Sequence, residues 1–289
     1  QANATLPIVQ DVVGDLVGAE TSADQTAVYS DTASLPDPPV VLRLSDVGFR
    51  YPNAASSVLQ GLDLEIPFGS SLGIVGPSGA GKSTLIDLLL GLAIPTAGTI
   101  DIDGLPLRDV LLSWRSRVGY VPQRVALFDG TIAQNVALTW EDDFDADRVK
   151  VALERAQLSE LVAGRSNGIN ERIGERGVSL SGGQQQRLGI ARALYSDPLV
   201  LVLDEATSSL DTKTEDSVTQ AIRGLLGELT LISVAHRLST IKDDDRICYL
   251  DEGRILGQGT SAEVARSVPR FGEQVSLAGL SSVTDPRPS

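Results

Sequence analysis

The residues with the clearest chemical potential form one short run that fits the spacing G-x-x-x-x-G-K-[S/T]. Glycines at these places let backbone N–H groups turn toward an anion and approach it closely. A lysine and a hydroxyl directly after the last glycine could neutralise phosphate groups and ligate Mg²⁺. The run consists of Gly76, Pro77, Ser78, Gly79, Ala80, Gly81, Lys82, Ser83 and Thr84.

The segments on both sides of this run support a phosphate-binding loop, or P-loop. Residues 71–75 are short, apolar and β-prone, and residues 84–90 are typical of the apolar start of a helix. A strand, a glycine loop and a helix in this order are the context that confirms such a loop, since the helix N-terminus adds a positive dipole end. We therefore expect a nucleoside triphosphate here, with Lys82 at the β- and γ-phosphates and Ser83 on Mg²⁺.

A second chemical feature is the carboxylate pair Asp204 and Glu205, which follows the apolar run 199–203. Such runs are typical of strands buried in a parallel sheet, and ligands bind at the carboxyl ends of those strands. Two adjacent carboxylates need a counter-charge, which Mg²⁺ would supply. We expect Asp204 on the metal side and Glu205 to orient and deprotonate an attacking water. The alternative is an ordinary strand end with solvated acids.

Four further motifs complete an ordered set along the chain. They are Tyr120-Val121-Pro122-Gln123, Leu180-Ser181-Gly182-Gly183-Gln184, Ala206-Thr207-Ser208-Ser209-Leu210-Asp211 and Ser233-Val234-Ala235-His236-Arg237. With the P-loop and the carboxylate pair, this order resembles the ATP-binding cassette (ABC) family over about residues 40–270. The resemblance implies an α/β fold: a mixed, mainly parallel core sheet flanked by helices, an antiparallel β subdomain and a helical signature subdomain. It also implies ATP and Mg²⁺ as cofactors.

The resemblance implies roles for single residues as well. Gln123 matches the glutamine that touches Mg²⁺ and the attacking water, and His236 matches the histidine that contacts the γ-phosphate. Asp211 matches the aspartate of a loop that crosses a dimer interface. Tyr51 resembles the aromatic residue that stacks on adenine, the alternative being a strand-end aromatic packed on the core. The signature residues Ser181, Gly182, Gly183 and Gln184 would cap the γ-phosphate of ATP held by the opposite subunit.

Charge and cysteine content exclude several classes of function. The chain has 289 residues and a formal net charge of −14, which argues against nucleic-acid binding because that needs a basic face. The single cysteine, Cys248, lies in a strand-like segment and is expected to be a small buried hydrophobe. The acidic triplet 243–245 is interpreted as a solvated loop. We find no apolar run long enough to cross a bilayer and no signal peptide.

The organisation of the chain suggests one cassette with extensions at both ends. Apolar residues spaced by threes and fours predict an amphipathic helix at 1–20, interpreted as an extension of the last transmembrane helix. A proline-punctuated linker at 21–39, the cassette at 40–272 and a tail at 273–289 follow. Residues 143–195 are expected to be mostly helical, and Asp103-Gly104 predicts a tight turn. Because the chain contains no methionine and begins at Gln1, we expect it to be a piece of a longer protein.

Two local features resemble the exporter branch of the family: the phrase 128–136 and the loop Gly174–Gly177, in which Glu175 would signal to the membrane domain. The resemblance thus implies the ATP-hydrolysing domain of an exporter. Two copies would pair head to tail around two Mg-ATP, and a transmembrane domain of the same polypeptide would be the other partner.

We expect a soluble piece that works at the cytoplasmic face of the inner membrane. The cargo would be a lipid or lipid-linked oligosaccharide, with multidrug and peptide exporters as close alternatives. An importer subunit, a soluble ABC protein and a non-hydrolysing regulatory cassette are the alternatives to an exporter.

Overall fold

The computed structural model describes residues 31–206, 212–235 and 238–277. The predicted helix at 1–20, Asp211, His236 and the end of the predicted tail lie outside these ranges. Among the described residues, no helix is both long enough and apolar enough to cross a membrane.

Ten strands lie within the described part of the chain, and they form two sheets. The strands are β1 (Val41–Phe49), β2 (Leu59–Pro67), β3 (Ser71–Val75), β4 (Ala97–Ile102), β5 (Leu105–Pro106), β6 (Val118–Val121), β7 (Val200–Asp204), β8 (Thr230–Val234), β9 (Arg246–Asp251) and β10 (Arg254–Gly259).

The first sheet is antiparallel and has the order β2-β1-β4-β5. Buried and exposed residues alternate along most of β2, as expected where one face of a sheet packs on the core. The predicted turn between β4 and β5 is present. Asp103 and Gly104 have φ of 55° and 83°, the pair of left-handed residues that a two-residue type I′ turn requires.

The second sheet has the order β10-β9-β3-β8-β7-β6, and only its edge strand β10 is antiparallel. The strands β3 and β8 are buried along their whole length, which explains their continuous apolar sequence. Because β3, β6, β7, β8 and β9 are parallel, their carboxyl ends share one edge of the sheet. That edge receives the glycine loop after β3, Gln123 after β6, and Asp204 and Glu205 at the end of β7.

The helices cover the sheets and differ widely in length. In the described ranges they are α1 (Lys82–Leu89), α2 (Leu111–Ser116), α3 (Ile132–Ala137), α4 (Ala146–Arg155), α5 (Ser159–Ala163), α6 (Gly182–Tyr195), α7 (Thr212–Arg223), α8 (Leu238–Ile241), α9 (Ser261–Ser267) and α10 (Pro269–Leu277). Short 3₁₀ helices occur at Leu107–Val110, Gly168–Asn170 and Glu175–Gly177.

The parallel sheet separates two hydrophobic cores. Val200 and Val202 of β7 pack with the antiparallel sheet, α1 and α2, whereas Leu201 and Leu203 pack with α3, α4 and α6. This follows from the two-residue period of side chains along a strand. Cys248 is fully buried in the first core, as the sequence predicts. A third, smaller core lies beneath α9 and α10.

The acidic triplet 243–245 differs in part from the solvated loop that the sequence suggested. Asp245 Oδ2 accepts hydrogen bonds from the backbone N–H and the hydroxyl of Ser71, at 2.8 and 3.0 Å. Burial raises the pKa of Asp244 to about 7, and the charges of Asp245 and Asp243 add to this effect. The interpretation as a solvated loop therefore holds for Asp243 and Asp245, which are exposed, and is wrong for Asp244, because its Oδ2 is buried.

Three boundaries also differ from the predicted ones. The stretch 164–181 is mostly irregular, since the capping residue Ser181 starts helix α6 only at Gly182. The helix Pro269–Leu277 crosses residue 273, where the tail was expected to begin, because Phe271 anchors it in the third core. Ahead of residue 40, Asp31 already contacts α2: its carboxylate accepts the backbone N–H groups of Leu112 and Ser113, each at 2.8 Å.

Candidate functional site

The glycine loop has a backbone that only glycine allows at its two ends. Gly76 has φ of 150°, and a Cβ there would lie 1.9 Å from the carbonyl oxygen of Leu250. Gly81, at φ 103°, is the N-cap residue of α1, and no side chain caps this helix. The first N–H groups of α1 therefore point into the loop without a side-chain acceptor, which is the arrangement that binds phosphate.

Lys82 lies across the mouth of this loop. Its ammonium group donates to the carbonyl oxygens of Gly76 and Pro77, at 2.9 and 2.8 Å. Burial lowers the pKa of Lys82, while the charges of Glu205 and Asp204 raise it in part. The lysine is thus near both carboxylates of the β7 end. Its two hydrogen-bond acceptors are neutral carbonyls, which phosphate oxygens could replace.

Tyr51 is placed beside the P-loop helix. Its hydroxyl lies 3.1 Å from Thr84 Oγ1, and its ring meets Phe49 edge-on, with 4.9 Å between ring centroids. The side chain keeps 44% of its surface exposed. Tyr51 is therefore exposed beside the P-loop helix, and its stacking on adenine stays a prediction. Ser83, the predicted metal ligand, is exposed on the same helix turn.

The carboxylate pair occupies the end of β7 with a defined geometry. Glu205 has φ of 49°, in the left-handed region that non-glycine residues seldom adopt, and its N–H donates to the carbonyl oxygen of Val234 at 3.0 Å. Gln123 Nε2 donates to Glu205 Oε2 at 2.8 Å. The structure therefore brings Gln123 and Glu205 into contact, although 82 positions separate them in the sequence.

Asp204 lies among groups that the sequence analysis did not identify. The hydroxyl of Tyr120 donates to Asp204 Oδ2 at 3.1 Å. Burial, followed by the charge of Asp204 and this hydrogen bond, raises the pKa of Tyr120, so the hydroxyl keeps its proton. Burial and Asp204 also raise the pKa of Asp87, which α1 contributes from the P-loop side. Tyr120 lies in β6, three residues before Gln123. Its role beside Asp204 would follow from the sequence only if it were known that β6 lies next to β7.

The signature motif starts helix α6. The backbone N–H of Ser181 donates to Gln184 Oε1 at 2.9 Å, and the N–H of Gln184 donates to Ser181 Oγ at 3.4 Å. This reciprocal pair is a capping box with the pattern S-x-x-Q. Gln184, for which the family resemblance implies a role at ATP, thus also stabilises the start of the helix. Gly182 and Gly183 form the first turn of the helix, with its positive dipole end toward the outside.

The site residues thus form two groups within the described ranges. Lys82, Gln123, Asp204 and Glu205 meet at the edge of the parallel sheet, with Tyr51 and Ser83 beside them. The hydrogen bonds from the N–H and to the hydroxyl of Ser181 stay within the signature motif. Nothing is described of His236 and Asp211.

These residues fit a nucleotide with a magnesium ion. The uncapped helix start and Lys82 match the charge and size of phosphate groups. No cluster of three or more His, Cys, Asp or Glu that could hold a metal occurs among the residues that the structure describes. The predicted ligands Ser83, Gln123 and Asp204 still suit Mg²⁺, since this ion needs few protein ligands: it keeps several waters and takes phosphate oxygens.

Known proteins match this chain over the region that contains Lys82, Gln123, Asp204 and Glu205. Residues 59–208, more than half of the chain, match the family described as ABC transporter. The ATP-dependent lipid A-core flippase of Cupriavidus pinatubonensis is 45% identical over 221 residues, which are 75% of this chain and 38% of the flippase. The multidrug resistance ABC transporter ATP-binding and permease protein of Lactococcus lactis is 40% identical over 231 residues, which are 80% of this chain and 39% of that protein.

A solved structure of a bacterial Atm1-family ABC exporter with ATP bound matches with a TM-score of 0.77 at 36% identity. The match covers 94% of this chain and 47% of that one. The chain spans about two fifths of the length of the curated relatives it matches. The expected fold, a P-loop cassette with a parallel core sheet, an antiparallel β part and a helical signature part, is confirmed. The chain belongs to the ABC transporter family, as the ATPase cassette that its motifs predict.

Proposed function

We propose that this chain is the motor domain of an ABC exporter and that two copies hydrolyse two Mg-ATP between them. The observation that carries the proposal is the contact between Gln123 and Glu205, 2.8 Å between Nε2 and Oε2, beside Lys82 and Asp204. A carboxylate held by an amide next to a phosphate cradle is the arrangement that positions and deprotonates a water.

Each residue of the cradle then has a defined task. Mg-ATP, when bound, supplies a transferable γ-phosphoryl group and a divalent charge near it. Lys82 exchanges its two carbonyl partners for β- and γ-phosphate oxygens. Asp204, Ser83 and Gln123 would hold the metal. Glu205 takes the proton of the attacking water, and His236 contacts the γ-phosphate, as the family resemblance implies.

The proposed pair explains the second group of site residues. The start of α6, with Ser181, Gly182 and Gly183, offers backbone N–H groups and a positive dipole end to an anion. In a head-to-tail pair this surface covers the γ-phosphate held by the other copy. Asp211 would lie in the interface. Each active site is then complete only when two copies meet.

The transport role rests on the relatives. The curated relatives are named as a flippase and as a multidrug transporter with a permease part, and they are more than twice as long as the matched region. We therefore propose a transmembrane domain in the same polypeptide and a position at the cytoplasmic face of the inner membrane. A lipid-like cargo is favoured because the flippase relative at 45% identity is named for lipid A-core.

Phosphate release measured over a wide range of protein concentration tests the shared site. We expect the rate to rise faster than linearly with concentration, because a second copy must supply Ser181. A Lys82→Ala variant should release almost no phosphate, which controls for contaminating ATPases. A strictly linear rate from the unmutated chain would contradict the shared site, and absence of hydrolysis would contradict the motor function.

The cargo needs the full-length polypeptide in lipid vesicles. With labelled lipid in the outer leaflet, we expect ATP-dependent loss of accessible label, and none in the full-length Lys82→Ala variant. ATP hydrolysis that neither moves lipid nor is stimulated by it would overturn the cargo assignment and leave the motor function standing.

A further inference from the structure

One side of helix α6 holds the segment that follows Gln123. Gln186 is 5% exposed, and its Nε2 donates to the carbonyl oxygen of Pro122 at 3.2 Å. Three residues later, Gly189 lies against Val125 so closely that a Cβ would be 2.4 Å from Val125 Cγ2. Residues three apart are neighbours on a helix surface, so these contacts form one continuous strip.

Arg192 extends the strip by three more residues. Its Nη1 donates to the carbonyl oxygen of Ala126 and its Nε to that of Asn135, both at 2.8 Å. Burial lowers the pKa of Arg192 to about 10, so the guanidinium remains charged at neutral pH. Asn135, which is fully buried, donates in turn to the carbonyl oxygen of Phe128 at 3.1 Å. The segment 122–128 is therefore fastened to α6 at both of its ends.

The two ends of this assembly carry different parts of the site. The signature residue Ser181 caps the N-terminus of α6. The segment 122–128 contains Gln123, whose Nε2 lies 2.8 Å from Glu205 Oε2. Pro122, the residue that Gln186 holds, is joined to Gln123 by one peptide bond. A displacement of α6 must therefore move the peptide that carries Gln123.

We infer that Gln186 is a positioning residue: it holds the Pro122 peptide on α6, so that the place of the signature helix sets the contact between Gln123 and Glu205. This inference rests on the proposed function. In the proposed pair, Ser181 of one chain serves the nucleotide of its partner, while Glu205 serves the chain's own. Gln186 then couples the two ATP sites through one chain, and Arg192 supports it from the far end of the segment.

If Gln186 only stabilised the fold, its loss would lower stability without acting through Gln123. A double-mutant cycle separates this role from the positioning of Gln123. The cycle uses Q186L, Q123A and the double variant, with kcat, KM and the melting temperature measured for each. We expect Q186L to lower kcat by about three- to ten-fold, the effect of losing one hydrogen bond, with little change in KM. The double variant should be no slower than Q123A alone.

Q185L is the matched control. Gln185 is the neighbouring glutamine on α6, but its Nε2 bonds to the carbonyl oxygens of Gly177 and Leu180, not to the segment 122–128. The effects of Q185L and Q123A on kcat should therefore multiply. R192K, which keeps the charge and loses the fork of hydrogen bonds, should show the same non-additivity with Q123A as Q186L does, and it replaces Q186L if that variant does not fold.

Hydrogen exchange provides a readout that does not depend on hydrolysis. Q186L should speed the exchange of backbone amides in 123–128, whereas Q185L should leave them unchanged. Multiplying effects of Q186L and Q123A on kcat, or equal exchange of 123–128 in Q186L and the unmutated chain, would overturn the inference. An unmutated chain that hydrolyses no ATP would overturn the proposed function instead, and the exchange result would still decide whether Gln186 holds the segment.

Discussion

The hydroxyl of Tyr120 donates a hydrogen bond to the carboxylate of Asp204, with 3.1 Å between Oη and Oδ2. The register of the sheet explains the contact, because Tyr120 pairs with Val202 across β6 and β7, and Asp204 lies two residues beyond Val202. Residues two apart on a strand share a face, so Tyr120 and Asp204 point the same way. The tyrosine thereby fixes one oxygen of the carboxylate assigned to the metal.

We predict that Tyr120→Phe weakens the use of Mg²⁺ more than the binding of ATP itself. The variant keeps the ring and removes one hydrogen bond to a carboxylate, which is worth about 1.5–3 kcal/mol. The Mg²⁺ concentration that gives half-maximal phosphate release should rise about five-fold or more. Binding of a fluorescent ATP analogue in EDTA should stay the same.

The matched control for Tyr120→Phe is Tyr195→Phe. Tyr195 also uses its hydroxyl in one hydrogen bond, accepting from the N–H of Asp145 at 3.2 Å, but outside the nucleotide site. Its Mg²⁺ dependence should match that of the unmutated chain. Equal Mg²⁺ dependence of all three proteins would show that Tyr120 does not position Asp204.

A second prediction concerns the start of the described chain. The carboxylate of Asp31 accepts from the N–H groups of Leu112 and Ser113 and from the Ser113 hydroxyl. Burial raises the pKa of Asp31, but these hydrogen bonds more than offset it, so the pKa falls below its ordinary value. Asp31→Ala should cost about 0.5–2 kcal/mol, as loss of a helix cap does, and lower the melting temperature by a few degrees.

Asp143→Ala serves as the comparison for Asp31→Ala, because Asp143 is an exposed acid on the surface. Differential scanning fluorimetry at pH 7 should show a lower melting temperature for the Asp31 variant alone. If both variants have the same melting temperature as the unmutated chain, the contact between Asp31 and α2 contributes nothing to stability.

Local patterns sufficed to predict the elements around the site. The glycine loop, the apolar runs at β3, β7 and β8, and the Asp103-Gly104 turn each have a signal within a few residues, and each was found as expected. The contact between Gln123 and Glu205 was not predictable in this way. It depends on β6 lying beside β7, which is a property of the sheet order and not of either segment.

The burial of the individual side chains at 243–245 was not predictable from the sequence either. Asp243, Asp244 and Asp245 are identical residues, yet Asp243 pairs with Arg223 at 2.5 Å, Asp245 bonds to Ser71, and Asp244 Oδ2 is buried with no hydrogen-bond partner among the described residues. An acidic run usually indicates a solvated loop. Only the packing of this loop against β3 distinguishes the three carboxylates.

The third prediction follows from Asp244. Its pKa in the folded chain, about 7, lies above the ordinary value of 3.8. The folded state therefore holds a proton that the unfolded state releases, and the resulting stability is fully present below about pH 4 and is lost as the pH rises through about 7. Asp244→Asn should raise the melting temperature at pH 8 and raise it much less at pH 4.5, because just above the ordinary pKa of 3.8 the ionisation of Asp244 in the unfolded chain has removed only a small part of that stability.

The size of the Asp244→Asn effect is bounded by the pKa change. One pKa unit corresponds to about 1.4 kcal/mol of free energy. One kcal/mol shifts the melting temperature by roughly 2–4 °C in a domain of this size. An increase of several degrees at pH 8 is expected, measured by thermal unfolding between pH 4.5 and pH 8. An equal change at both pH values would mean that the variant acts through packing and not through the charge of Asp244.

The last prediction is that Glu205→Gln converts a transient pair into a stable ATP-bound dimer. The amide keeps the size of the side chain, and its oxygen can still accept from Gln123 Nε2, so the geometry at the end of β7 should persist. The amide cannot take a proton from water, so hydrolysis should fall by about 10²–10⁴-fold, the contribution of a positioned base. ATP binding relies on Lys82, Ser83 and Asp204 and should survive.

Removal of one negative charge beside the γ-phosphate should also lessen repulsion in the closed pair. Closure of the pair is then favoured, while hydrolysis, the step that lets the pair open again, is blocked. The dimer should therefore accumulate with Mg-ATP. Size-exclusion chromatography with light scattering should show the mass rising from that of one 30.5 kDa chain to twice that value. Glu228→Gln, a change at an exposed acid paired with Arg155, should remain monomeric under the same conditions because its hydrolysis is intact. A Glu205→Gln variant that stays monomeric with ATP and hydrolyses it at the unmutated rate would remove Glu205 from the catalytic role, since neither the proton transfer nor the closed state would then depend on its charge.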